Sequence, residues 1–162
     1  MSLSDVSNIL WRERQLLELL LFKLEEEQMI LAGGRTRWLP HATREVETVL
    51  GELKRLELDR ALALDSASAE LGLTEPPTLK RLGQLVTGPW RRIFEDHRAA
   101  LLELAQEIDT LAQTNRDLLG RGHQATREAL RVLGDATPDT YSADGVAAAN
   151  RTVNLGLVNE AI

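Results

Sequence analysis

The feature that most constrains this chain is a heptad seam between Pro89 and Leu133. Trp90, Phe94, His97, Leu101, Leu104, Ile108, Leu111, Asn115, Leu118, Gly122, Ala125, Ala129 and Val132 recur alternately four and three residues apart. That spacing puts them on one stripe of a helix. At roughly 1.5 Å per residue, about 45 residues make a rod about 65 Å long. Such a rod cannot bury its stripe alone. Another helix of this chain, or a second chain, must lie along it.

The seam changes character along its length. As far as Leu111 it is built mostly from large side chains. Beyond Asn115 it thins to Leu118, Gly122, Ala125, Ala129 and Val132. Gly120 and Gly122 each lower helix stability by about 1 kcal/mol relative to alanine. Two readings fit the thin half: small residues that let a neighbouring helix come close, or a joint near Leu119–His123.

The other helices follow from stop and start signals. Val6, Leu10, Leu17, Leu20, Leu24 and Leu31 form the stripe of a first helix, interrupted by Glu13 and Glu27, and Gly33-Gly34 ends it. Trp11, Leu19, Phe22 and Met29 fall on its opposite side. A helix apolar on two faces suits the centre of a bundle. The other reading is a face that awaits a partner. Pro40 suits the start of a second helix, whose apolar face is Val46, Val49, Leu50, Leu53 and Leu56, extended by Ala63, Leu64, Ala67 and Leu71. The charges from Glu45 to Arg60 read as a solvated face. Gly72 is its C-cap signal, and Thr78 caps a short helix, Leu79 to Val86. Gly88-Pro89 then restarts the chain into the rod.

These signals predict an all-α fold: an elongated antiparallel helical bundle, or long helical hairpin, with coiled-coil-like packing. Residues 1–134 make the helical domain. Residues 135–162, rich in Asp, Thr, Ala, Asn and Gly, have no sustained period and read as a flexible C-terminal tail.

The bulk numbers exclude several classes of function. A net charge of −6 argues against nucleic acid and anionic membranes as partners. The absence of cysteine removes disulfides, thiolate zinc sites and thiol catalysis. The polar start, Met1 to Asn8, lacks the pattern of a signal peptide. The most apolar run, Leu16 to Leu24, is broken by Glu18 and Lys23, so no spanning helix is expected and the expected location is the cytoplasm.

Enzyme signals are equally poor. His41, His97 and His123 lack the Glu-x-x-His spacing of di-iron bundles, and no His-Glu-x-x-His occurs. Gly33-Gly34-Arg35-Thr36 and Gly120-Arg121-Gly122 lack the context of a phosphate loop. Glu25, Glu26 and Glu27 point in different directions on a helix. His97 reads as a satisfied seam residue, and Asn115 as a polar residue that sets register. No enzyme activity, metal or cofactor is expected. The work of the chain is binding through helix faces.

The order and spacing of the helical pieces resemble the FlgN family of flagellar type III export chaperones. The resemblance runs from about Ile9 to Gly145. It rests on Leu16-Leu-Glu-Leu-Leu-Leu21, Gly33-Gly34, Leu53-Lys-Arg-Leu-Glu-Leu-Asp-Arg60 and Leu71-Gly-Leu73 before a proline-containing turn with Thr78-Leu79. Asn115-Arg-Asp-Leu-Leu119 and Tyr141-Ser-Ala-Asp-Gly145 complete it. It implies a cytoplasmic, non-enzymatic chaperone. Such a protein binds the C-terminal helices of hook–filament junction (hook-associated) proteins, prevents their premature assembly and delivers them to the membrane export gate.

Two site expectations follow. The client helix docks on the thin half of the rod, at Leu118, Leu119, Ala125, Ala129, Leu130, Val132 and Leu133. The alternative is that these leucines pack on the first helix. Tyr141, the only tyrosine, docks on the export gate through an otherwise small-residue segment. The competing function is a coiled-coil scaffold that self-associates along Trp90–Leu111 as a homodimer.

Overall fold

The computed structural model describes residues 3–133. The proposed tail, Tyr141 included, lies outside the described residues. Four helices follow in order: α1 (Leu3–Ala32), α2 (Leu39–Glu70), α3 (Leu79–Leu85) and α4 (Pro89–Leu133), with a 3-10 turn at Thr36–Trp38 before α2. The described residues form the all-α elongated bundle that the sequence predicts.

The helix ends are where the glycines put them. Gly34 and Gly72 have φ of 65° and 69°, in the left-handed region that glycine adopts without a Cβ penalty. At each, the two residues past the cap bond back into the last turn. Gly34 N donates to Leu31 O and Arg35 N to Ile30 O, while Gly72 N donates to Ala69 O and Leu73 N to Ser68 O. Orphan carbonyls at both ends are thereby satisfied. Thr78 caps α3, its side chain accepting from Arg81 N at 3.3 Å.

α1 is the central helix. It packs along α2 on one side and along α4 on the other, and α2 and α4 barely touch each other. Glu13 meets Arg60, Lys23 meets Glu45 and Glu27 meets Thr43, so α1 and α2 run antiparallel. Ser7 meets His97 and Leu24 meets Asn115, at sequence separations of 90 and 91. α1 and α4 therefore run in the same direction, with α3 carried against the start of α4 by the connection.

Two expectations about the core need correction. The stripe on α4 is centred on Phe94, His97, Leu101, Ala105, Ile108, Ala112 and Asn115. Leu104 and Leu111 sit at its edge, packed against the core but only partly buried. The sequence reading followed the largest side chains, whereas close helix approach favours Ala105 and Ala112 at the centre. The second correction concerns charge. Glu13 is not a flaw in the α1 stripe, and Arg60 is not on a solvated face. Their side chains are 0 % and 4 % exposed, and one guanidinium nitrogen lies 2.8 Å from both carboxylate oxygens. Burial pushes the Glu13 carboxyl above its ordinary value of 4.5, and Arg60 pulls it back.

The polar contacts to α4 are also inside the seam. Asn115 Nδ2 donates to Leu24 O at 2.9 Å and to Glu27 Oε1 at 3.2 Å. This is the register role expected of Asn115. His97 is fully buried, with Nε2 3.1 Å from Ser7 Oγ and Trp11 edge-on at 5.0 Å. Burial lowers the imidazole to about 4, the charge of Arg14 adds to this, and Asp96 opposes it.

Two predictions arise from this core. Arg60→Met leaves Glu13 buried without its cation and is expected to cost about 3–5 kcal/mol, whereas Glu13→Leu/Arg60→Met is expected to unfold near the wild-type urea midpoint. A single variant as stable as wild type would overturn the assignment. His97 takes up a proton on unfolding between its folded value of about 4 and its ordinary 6.5. Its contribution is thus fully present above the ordinary value and declines as pH falls through this window, by at most about 3 kcal/mol. Urea midpoints of His97→Gln measured against pH should fall less steeply there than those of wild type.

Candidate functional site

The register between α1 and α4 decides what remains open. A separation of about 90 sets Gly122 level with Ala32, the last residue of α1. α4 runs on to Leu133 without interruption. Its final 11 or so residues, about 16 Å of helix, project past the end of α1. The chain itself turns away there, through Gly33-Gly34 and the 3-10 turn into α2.

This projection holds most of the residues expected to bind a client. Leu118, Leu119 and Leu130 are half-buried, and Ala125, Ala129, Val132 and Leu133 are exposed. Val132 and Leu133 are 78 % and 75 % exposed. At about 100° per residue all seven fall within one broad arc of α4. Past Gly122 α1 has ended, so it offers Leu130, Val132 and Leu133 nothing to pack on among the described residues. Nor do the glycines admit a close neighbour. A Cβ added at Gly120 or Gly122 would meet nothing within 4 Å, and the helix is continuous through both.

A second apolar surface lies on α1. Although α1 is central, as expected, its face of Trp11, Leu19, Phe22 and Met29 is not covered by the other described residues, and Met29 is 66 % exposed. The physical reason is that α2 and α4 both take the same stripe of α1, leaving the far face over. Arg14 lies 4.2 Å from the Trp11 ring centroid and Lys23 5.4 Å from that of Phe22, so two of these aromatics carry cations.

Sequence reasoning found the turn between α1 and α2 but missed the exposed aromatic in it. Trp38 there is 45 % exposed, the Arg37 guanidinium lies 4.7 Å from its ring centroid, and the His41 ring lies beside it, tilted by 46° with centroids 5.7 Å apart. The signal was available: an aromatic between arginines and a proline, with no apolar period to claim it. A shallow groove of about 530 Å³ runs between α1 and α4, with Leu21 and Leu111 in its wall and Glu25, Glu103 and Glu107 along it. None of the three histidines contributes to it, and among the described residues no group of His, Asp or Glu could hold a metal ion. No described helix is long and apolar enough to cross a membrane.

The arrangement is thus an apolar arm presented by a closed bundle. The FlgN family model, described as FlgN protein, matches residues 1–149. The chain belongs to the FlgN family. FlgN proteins are chaperones of flagellum assembly. No curated protein and no solved structure matches the chain. The matched span covers the bundle, the projecting end of α4 and the segment around Tyr141.

Proposed function

We propose that this FlgN-family chain is a cytoplasmic export chaperone that captures the C-terminal helices of hook-associated, hook–filament junction proteins on the projecting end of α4. It keeps those subunits from assembling early and passes them to the membrane export gate. The observation that carries this reading is the amphipathic stretch from Leu118 to Leu133, helical throughout and, past Gly122, left open by the described residues. Junction subunits assemble through amphipathic helices, and a helix laid on a helix face masks such a segment.

Magnitudes support a surface wider than its tip. Burying Leu130, Val132 and Leu133 is worth roughly 1.5–3 kcal/mol each at full burial. Association alone costs about 4–15 kcal/mol. Three side chains would barely break even, so Leu118, Leu119, Ala125 and Ala129 must belong to the same footprint. Leu130→Asp/Leu133→Asp is therefore expected to weaken binding of a junction-protein C-terminal peptide at least about a hundredfold, measured by calorimetry. The urea midpoint should stay close to wild type, since surface substitutions typically shift stability by about 0.5 kcal/mol or less. Full affinity in the folded double variant would remove this surface from consideration.

Delivery is assigned to Tyr141. A lone aromatic among small residues can anchor an interface at low entropic cost. Tyr141→Ala is expected to bind client as wild type does and to lower export of junction proteins in cells. Wild-type export by that variant would refute the assignment. Self-association along Trp90–Leu111 is the weaker reading, because α1 already covers Phe94, His97, Leu101 and Ile108. A dimer through that seam would require α1 to leave.

A further inference from the structure

The seam that α1 covers does not stop where α1 stops. Ala112 and Asn115 face α1 and are buried. Leu130 and Leu133 follow them by about five whole turns, so they point the same way. The place for a bound helix is therefore in line with α1, beyond Ala32.

The charges around this place are sorted. Arg127 precedes the seam leucine Leu130 by three residues, and so flanks the seam on one edge beyond Ala32, whereas Arg116 lies level with Glu26 of α1 and donates to Gln113 Oε1 at 2.6 Å. The acids of this part of α4, Asp117 and Glu128, fall on the far side of the helix, where Glu128 sits 3.7 Å from Arg131. The neighbouring turn adds Arg35 and Arg37, both exposed, and residues 33–41 contain no acid. This end is basic in a chain whose net charge is −6.

We propose that the segment taken up here is an acidic amphipathic helix, lying in line with α1, its apolar side on Leu130 and Leu133 and its carboxylates toward Arg127. This rests on the client reading above and adds the chemical class of the client. The net charge makes the idea sharp: long-range attraction by this chain favours cations, so a preference for an acidic helix must come from the local edge.

The test uses the full chain and three synthetic helical peptides. They share one apolar stripe and carry Glu, Gln or Lys at the polar positions. The Glu peptide is expected to bind at least about tenfold tighter than the Lys peptide at low salt, with the ratio shrinking toward one in about 0.5 M salt. Arg127→Glu should shrink the ratio toward one. Arg131→Glu, on the far side, should leave it unchanged. Equal affinities, a preference for the Lys peptide, or an order indifferent to Arg127 would overturn the proposal while leaving the client surface standing. Undiminished binding of the peptides by Leu130→Asp/Leu133→Asp would overturn the client surface and this proposal with it. A homodimer that the Glu peptide fails to dissociate would assign the seam to a second copy and would also overturn it.

Discussion

Everything in this structure depends on one stripe of α1 serving two helices. Val6, Leu10, Leu17, Leu20 and Leu24 are fully buried, with α2 on one side and α4 on the other. Because α2 and α4 barely touch, neither can replace α1 as the other's partner. The polar groups inside the stripe then fix direction and register. Glu13 reaches Arg60 on α2, while Ser7 and Leu24 reach His97 and Asn115 on α4. A slip of one heptad between α1 and α2 would leave Glu13 buried without Arg60, at a cost of about 3–5 kcal/mol. Apolar contacts alone would tolerate that slip far better.

The projecting arm is a consequence of that register and of unequal length. α1 has 30 residues and α4 has 45, and they start nearly level. The surplus must emerge at one end. That end is also where Gly33-Gly34 turns the chain, so the arginines of the turn and the arm share it. The proposed client surface is thus placed by contacts far from it: Ser7 with His97 helps set how far Leu133 stands clear.

How much of this was legible in the sequence follows the same physics. Helix number, helix ends and the seam of α4 are written in local signals, since glycine at positive φ and a sustained heptad carry their meaning without tertiary context. The arm was half legible: its apolar arc could be read, but whether α1 covered it depended on register. What could not be read was the meaning of a charge on a stripe. Glu13 and Arg60 look like flaws in two separate helices, and only the pairing of α1 with α2 makes them one buried ion pair. The same limit explains Ala105 and Ala112. A stripe is chosen by how closely two backbones approach, which large side chains in one sequence do not reveal. It explains the face of Trp11, Phe22 and Met29 as well, because central position and full coverage are different properties when both neighbours use one stripe.

The arm's helicity is borrowed from the bundle. A separate stretch of about 11 residues containing two glycines would be a marginal helix in water, because nucleation is costly and short helices seldom repay it. Here no nucleation is needed, since Leu119 continues turns already held by Asn115 and Ile108. On the proposed reading, a client helix meeting this arm would order itself against a surface that is already ordered, and only one partner would bear that entropic cost. Gly120 and Gly122 sit where the arm leaves α1, at positions where a side chain would meet nothing among the described residues. Packing gives no reason for glycine there, and its lower helix propensity limits how much of the arm's stability is independent of an occupant. An arm stable enough to present Leu130 and Leu133, and gaining further from being covered, is what reversible capture of a helix requires.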